Sequence, residues 1–173
     1  LDVTDTGSMA LANSYRPGGR RDDWLKAAEI ARKYKVSRLM LAAAFASPLI
    51  NILGQRIFIL HAWGPSRGGK TAALKMALSV WGDPEGLNAS FNATKVGLER
   101  MASFYADLPL GIDERQVVGD KQAFVEGLVY LLGLGKGKAR GAKGGGLQNF
   151  SFWRTLILTT GEEPITAETS NAG

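Results

Sequence analysis

Cysteine is absent from this chain of 173 residues, and histidine occurs once, as His61. That composition excludes a disulfide framework and any thiolate or imidazole cluster that could hold zinc. Long apolar runs are missing as well. The longest, Leu39 to Leu53, is broken by Ser47, Pro48 and Asn51 and falls short of the ~20 apolar residues that a membrane helix needs. The opening Leu1-Asp2-Val3-Thr4-Asp5 has neither the basic start nor the apolar core of a signal peptide, so a cytoplasmic location is expected. Acidic residues are missing from one long stretch. None lies between Glu126 and Glu162, where Lys136, Lys138, Arg140, Lys143 and Arg154 supply only positive charge.

With 45% hydrophobic and 21% charged residues, the chain has enough apolar surface to rule out a disordered or fibrous protein. Its length allows one domain with a sizeable core. The net charge of +5, from 21 basic and 16 acidic side chains, is concentrated in the acid-free stretch. Such local basicity suits a polyanion or bound phosphates.

Residues 1–21 are polar, end in Arg16-Pro17-Gly18-Gly19-Arg20-Arg21, and read as a flexible lead-in without a core face. Residues 22–54 read as a helical part. Asp22 and Asp23 open a helix over about 23–34 that closes on Arg32, Lys33 and Lys35, as the helix dipole prefers. Ser37 is expected to cap a second, more buried helix from Arg38 to Ile50. Residues 55–173 then alternate strand and helix. Strands are expected at Arg56–Trp63, Leu87–Phe91, Leu108–Ile112 and Arg154–Thr160, with helices at Thr71–Trp81, Thr94–Tyr105 and Lys121–Leu132. The alternation predicts an α/β fold, a three-layer sandwich on a mainly parallel sheet with two helices in front.

Gly64-Pro65-Ser66-Arg67-Gly68-Gly69-Lys70-Thr71 fits G-x-x-x-x-G-K-[ST] between a predicted strand and a predicted helix, the context required of a phosphate-binding loop. Glycines let consecutive backbone N–H groups face the anion, and the following helix aims its positive end at it. Lys70 is placed to reach the β and γ phosphates of a nucleotide, and the Thr71 hydroxyl to bind Mg2+. About forty residues on, the apolar strand Leu108 to Ile112 ends in Asp113-Glu114. Asp113 suits magnesium, and Glu114 suits polarisation of the attacking water. The Asp-Glu order favours hydrolysis over phosphoryl transfer to a small metabolite. A third strand, Thr155 to Glu162, ends in polar groups. In nucleotide hydrolases with an additional strand between the other two, such a tip orients water against the γ-phosphate, a role open to Thr159 or Thr160.

Gly133 to Gly146 carries seven glycines with Lys136, Lys138, Arg140 and Lys143. Mobile cations of this kind suit non-specific contact with DNA phosphates, although a solvated loop would have the same composition. Phe150, Phe152 and Trp153 supply either base-stacking surface or core. His61, on a central strand, is expected to be structural.

These residues together resemble the domain of unknown function 927 family, found in primase-helicases of prophages, plasmids and other mobile elements. The resemblance runs from the Trp24 region through the phosphate loop, Ser79-Val80-Trp81-Gly82-Asp83-Pro84, Asn92-Ala93-Thr94, Leu108 to Glu114, Gly135 to Arg140, and Trp153-Arg154 to Gly161-Glu162. It implies an AAA+-like P-loop NTPase core of the additional-strand type, the motor of a DNA helicase. The family domain continues past the Thr-Thr-Gly-Glu strand, so the core is expected to be C-terminally incomplete in this chain. The resemblance also implies a homo-oligomer, a hexamer in the full-length protein, with ATP between subunits and single-stranded DNA in a central pore. By family pattern Lys70 and Thr71 bind ATP and Mg2+, Asp113 and Glu114 act on metal and water, and Thr160 is favoured over Thr159 as the sensor. Arg140 and Arg154 are the arginines available to a neighbouring site. Because the later strand and arginine finger of the family fall outside this chain, weak turnover is expected of it alone. A nucleotide-gated DNA-binding or assembly module without turnover is the alternative.

Overall fold

In the computed structural model the phosphate-loop strand stands at one side of a four-stranded sheet whose order is β1-β4-β3-β2. The model describes residues 5–90, 94–113, 127, 129–137 and 151–165. The strands are β1 (Ile59–Trp63), β2 (Asn88–Ser90), β3 (Leu110–Asp113) and β4 (Ile157–Gly161). All three pairings are parallel. The last strand in sequence is therefore inserted between β1 and β3. All five of its residues are buried, which explains the uninterrupted Leu156-Ile157-Leu158-Thr159-Thr160 run.

Among the described residues the helices accompanying the strands are α1 (Thr6–Ser14), α2 (Arg21–Ala31), α3 (Lys35–Ile52), α4 (Lys70–Leu78), α5 (Pro84–Leu87) and α6 (Lys95–Tyr105). Residues 129–133 are also helical, at the end of the span expected for Lys121–Leu132. The crossover from β1 to β2 runs across the sheet one way and that from β2 to β3 runs back. Right-handed crossovers then put α4 and α6 on opposite faces, which makes three layers. Against α4 lies α3, and small buried residues in both, Ala43 and Ala44 with Ala73 and Ala77, let the helices approach closely. Leu74 and Leu78 of α4, Leu98 and Ala102 of α6, and Ile112, Ile157 and Leu158 of the sheet share one core.

Four local expectations are corrected. The lead-in is not without structure, because Asp5 caps α1 by accepting the Ser8 N–H at 2.9 Å, and Leu11 and Tyr15 pack on the core. Ser37 does not cap α3, which starts at Lys35 after Tyr34, with the Arg38 N–H on the Tyr34 carbonyl at 2.9 Å. The helix expected over Thr71–Trp81 ends at Leu78, and Asp83 and Pro84 open a separate helix, α5, in which Asp83 accepts the Glu85 N–H at 3.1 Å. The strand expected over Leu87–Phe91 gives Leu87 to α5, while Phe91 lies outside the described residues.

Pro48 sits inside α3. It has no N–H for the Ala44 carbonyl one turn back, and the Trp81 indole donates to that oxygen at 3.0 Å instead. The next residue, Gly82, meets α1 closely. A Cβ there would fall 2.1 Å from the Ser14 carbonyl oxygen, while the Asp83 N–H donates to the same oxygen at 2.7 Å. Trp81 and Gly82 thus join α1, α3 and α4.

Candidate functional site

The site begins where β1 ends. Gly64 follows Trp63 at φ 141° and Gly69 precedes α4 at φ 75°, two conformations that favour glycine, and between them Arg67 is held at φ 64°. A non-glycine residue in the left-handed region costs on the order of 1 kcal/mol, so the loop stores strain at its crest. Lys70, the first residue of α4, folds back over the loop and donates to the carbonyls of Gly64 at 2.8 Å and Pro65 at 2.7 Å. Its ammonium is thereby set at the mouth of the loop beside the positive end of α4.

Parallel strands carry their carboxyl ends to the same edge of the sheet, and β4 lies between the other two. Asp113 at the end of β3 is buried, and the Thr71 hydroxyl of α4 donates to its Oδ1 at 3.2 Å. The Thr160 hydroxyl of β4 donates to the same oxygen. Ser66 of the loop donates to the Glu162 carboxylate. These groups line a cleft of about 340 Å³. Sequence reasoning reaches Glu162 only as the end of a motif. The signal that could have singled it out is its spacing: two residues beyond Thr160, it falls on the same side of an extended segment.

Thr159 points the other way, as alternation along a strand requires. Its hydroxyl bonds His61 Nδ1 at 2.7 Å, and His61 Nε2 bonds the Glu163 carbonyl at 2.9 Å. Burial holds the His61 pKa below the usual histidine value, partly opposed by the Glu163 carbonyl bond. Of the two threonines, Thr160 is the one beside Asp113.

Lys136 is exposed and pairs with Phe152 through an isolated antiparallel bridge, flanked by the Gly137 N–H on the Ser151 carbonyl at 2.8 Å. Trp153 belongs to the core, its indole donating to the Leu132 carbonyl at 2.8 Å, whereas Phe152 is exposed. Glu114, Lys138, Arg140, Lys143 and Phe150 lie outside the described residues. Arg154 is exposed and lines a second cleft of about 610 Å³ with Arg56, Asp107 and Gly135. Those residues precede β1, β3 and β4, so this cleft lies at the end of the sheet opposite the phosphate loop.

Among the described residues, no group of three or more His, Asp or Glu is assembled for a metal. A cation in the first cleft would have Thr71 and Asp113 as oxygen donors alongside phosphate oxygens of a nucleotide. Magnesium accepts that mixed, oxygen-only shell, so the residues fit it. Among the described residues no helix is long and apolar enough to cross a membrane.

No curated protein matches the sequence. A solved structure described as "SCCmec type IV Cch - active helicase" has the same fold, with a TM-score of 0.60 and 24% identity. The superposition covers 89% of this chain and 29% of that one, so the chain spans less than a third of its neighbour. Together with the strand order and the loop, it makes this a P-loop NTPase-like α/β fold. The family model for the domain of unknown function DUF927 matches residues 3–151, most of the chain, and the chain belongs to that family.

Proposed function

We propose that the first cleft binds ATP with Mg2+ and hydrolyses it, and that the domain is the motor of a DNA helicase of a mobile genetic element. The observation that carries this reading is the convergence of Lys70 and Thr71 from α4, Asp113 from β3 and Thr160 from β4 on one cleft. Lys70 neutralises charge on the β and γ phosphates. Thr71 and Asp113 hold the magnesium, which offsets phosphate charge when bound. Thr160, locked to Asp113, orients the attacking water, and Glu114, next in sequence to Asp113, takes its proton. The helicase assignment is supported by the shared fold with a helicase chain and by the basic segment around Lys136. Lys136, Lys138, Arg140 and Lys143 contact single-stranded DNA phosphates, in a cytoplasmic homo-oligomer, a hexamer in the full-length protein.

Phosphate release by the full-length protein, with and without single-stranded DNA, tests the reading. Glu114→Gln should keep ATP binding and slow turnover by about 100-fold or more. Unchanged turnover would remove Glu114 from the mechanism. ATP binding without turnover in the parent would support a nucleotide-gated DNA-binding module instead.

A further inference from the structure

We infer that His61 is a positioning residue of the nucleotide cleft, holding segment 159–163, and with it Thr160 and Glu162, in place against the phosphate-loop strand. The inference rests on the reading of the cleft given above. His61 lies on β1, three residues before Gly64, and is the only histidine in the chain. A carbonyl oxygen can only accept, so the bond to the Glu163 carbonyl requires the proton on Nε2. In the neutral ring Nδ1 then accepts from the Thr159 hydroxyl.

The two bonds bracket the cleft-lining pair. Thr159 precedes Thr160, and Glu163 follows Glu162. Backbone pairing between β1 and β4 ends at Trp63 and Gly161. Beyond Gly161, the His61 bond to the Glu163 carbonyl and the Ser66 bond to Glu162 tie the chain back to the phosphate-loop side. A half-buried strand position is ordinarily filled by a β-branched residue, which would pack there and leave the Glu163 carbonyl without this donor. The neutral ring that the geometry needs is also the form that burial favours, and no charged side chain contributes to the shift of its pKa. The unfolded chain takes up that proton more readily. The stability that His61 lends is therefore complete above the unfolded value of 6.5 and declines as the pH falls below it.

A single histidine can be followed without assignment. Long-range nitrogen–proton NMR spectra of the chain should show the Nε2–H tautomer, a pKa below 6.5, and shifts on adding Mg2+ and ATP that Lys70→Ala abolishes. In the full-length protein, His61→Leu should lower kcat by about tenfold or more with ATP affinity within about threefold. His61→Gln, which keeps a donor for the Glu163 carbonyl, should recover part of that activity. An Nδ1–H tautomer overturns the inference, even if the variants fail to fold. So does ATP binding that leaves the ring unshifted, or full kcat in a folded His61→Leu protein. If the parent fails to bind ATP at all, the reading of the cleft itself falls, and the positioning role with it.

Discussion

Replacing Trp81 by phenylalanine isolates the hydrogen bond that makes Pro48 tolerable inside α3. In the native chain the Ala44 carbonyl has no N–H from residue 48 and is satisfied by the Trp81 indole at 3.0 Å. Ala44 is fully buried, so removing the indole N–H leaves a carbonyl that water reaches poorly, at about 1–3 kcal/mol. For a chain of this size about 2 kcal/mol lowers Tm by roughly 4–8 °C. In a Pro48→Ala background the amide of residue 48 is available to the same carbonyl. The cost of Trp81→Phe should then shrink by about 1 kcal/mol, the net value of one hydrogen bond. Urea unfolding followed by circular dichroism on the parent, both single variants and the double variant yields the coupling directly. Additivity within about 0.5 kcal/mol would refute the compensation.

Two further perturbations separate the scaffold from DNA binding. Gly82→Ala forces a Cβ to within 2.1 Å of a backbone oxygen of α1, so it should destabilise the domain by about 1–3 kcal/mol in thermal unfolding, whereas Gly18→Ala, with open space around it, should be close to neutral. Neutralising Lys136, Lys138, Arg140 and Lys143 together should flatten the salt dependence of single-stranded DNA binding by about 0.7 for each phosphate that is no longer neutralised, measured by fluorescence anisotropy across a salt series, with ATP affinity barely changed. A slope that persists would make the segment a solvated loop.

The parts of the fold legible in sequence are those whose signal is local. Strand, glycine turn and Lys70 form one continuous pattern, and β4 declares itself by an apolar run too long for a half-exposed strand. The cap of α6 is equally local, with Thr94 accepting the Gly97 N–H at 3.0 Å. What escapes a reading of the sequence depends on tertiary contact. The helix α1 has no acidic first turn or basic last turn, and it is placed by the approach of Ser14 to Gly82 and Gly86, which no local pattern announces. Alternation puts Thr159 and Thr160 on opposite faces, but only the register of β4 between β1 and β3 says which face meets Asp113. His61 and Glu162 gain their partners the same way, across nearly a hundred residues of chain.

Calorimetric titration with ATP and Mg2+ shows whether the cleft built by Lys70, Thr71, Asp113 and Thr160 binds a nucleoside triphosphate. Lys70 is the cation set at the mouth of the loop, and a charge-assisted hydrogen bond contributes about 1.5–3 kcal/mol. The parent chain should bind saturably, and a folded Lys70→Ala variant should bind with an affinity about 10- to 100-fold weaker. Equal affinity in the two proteins would mean that the cleft is not a nucleotide site.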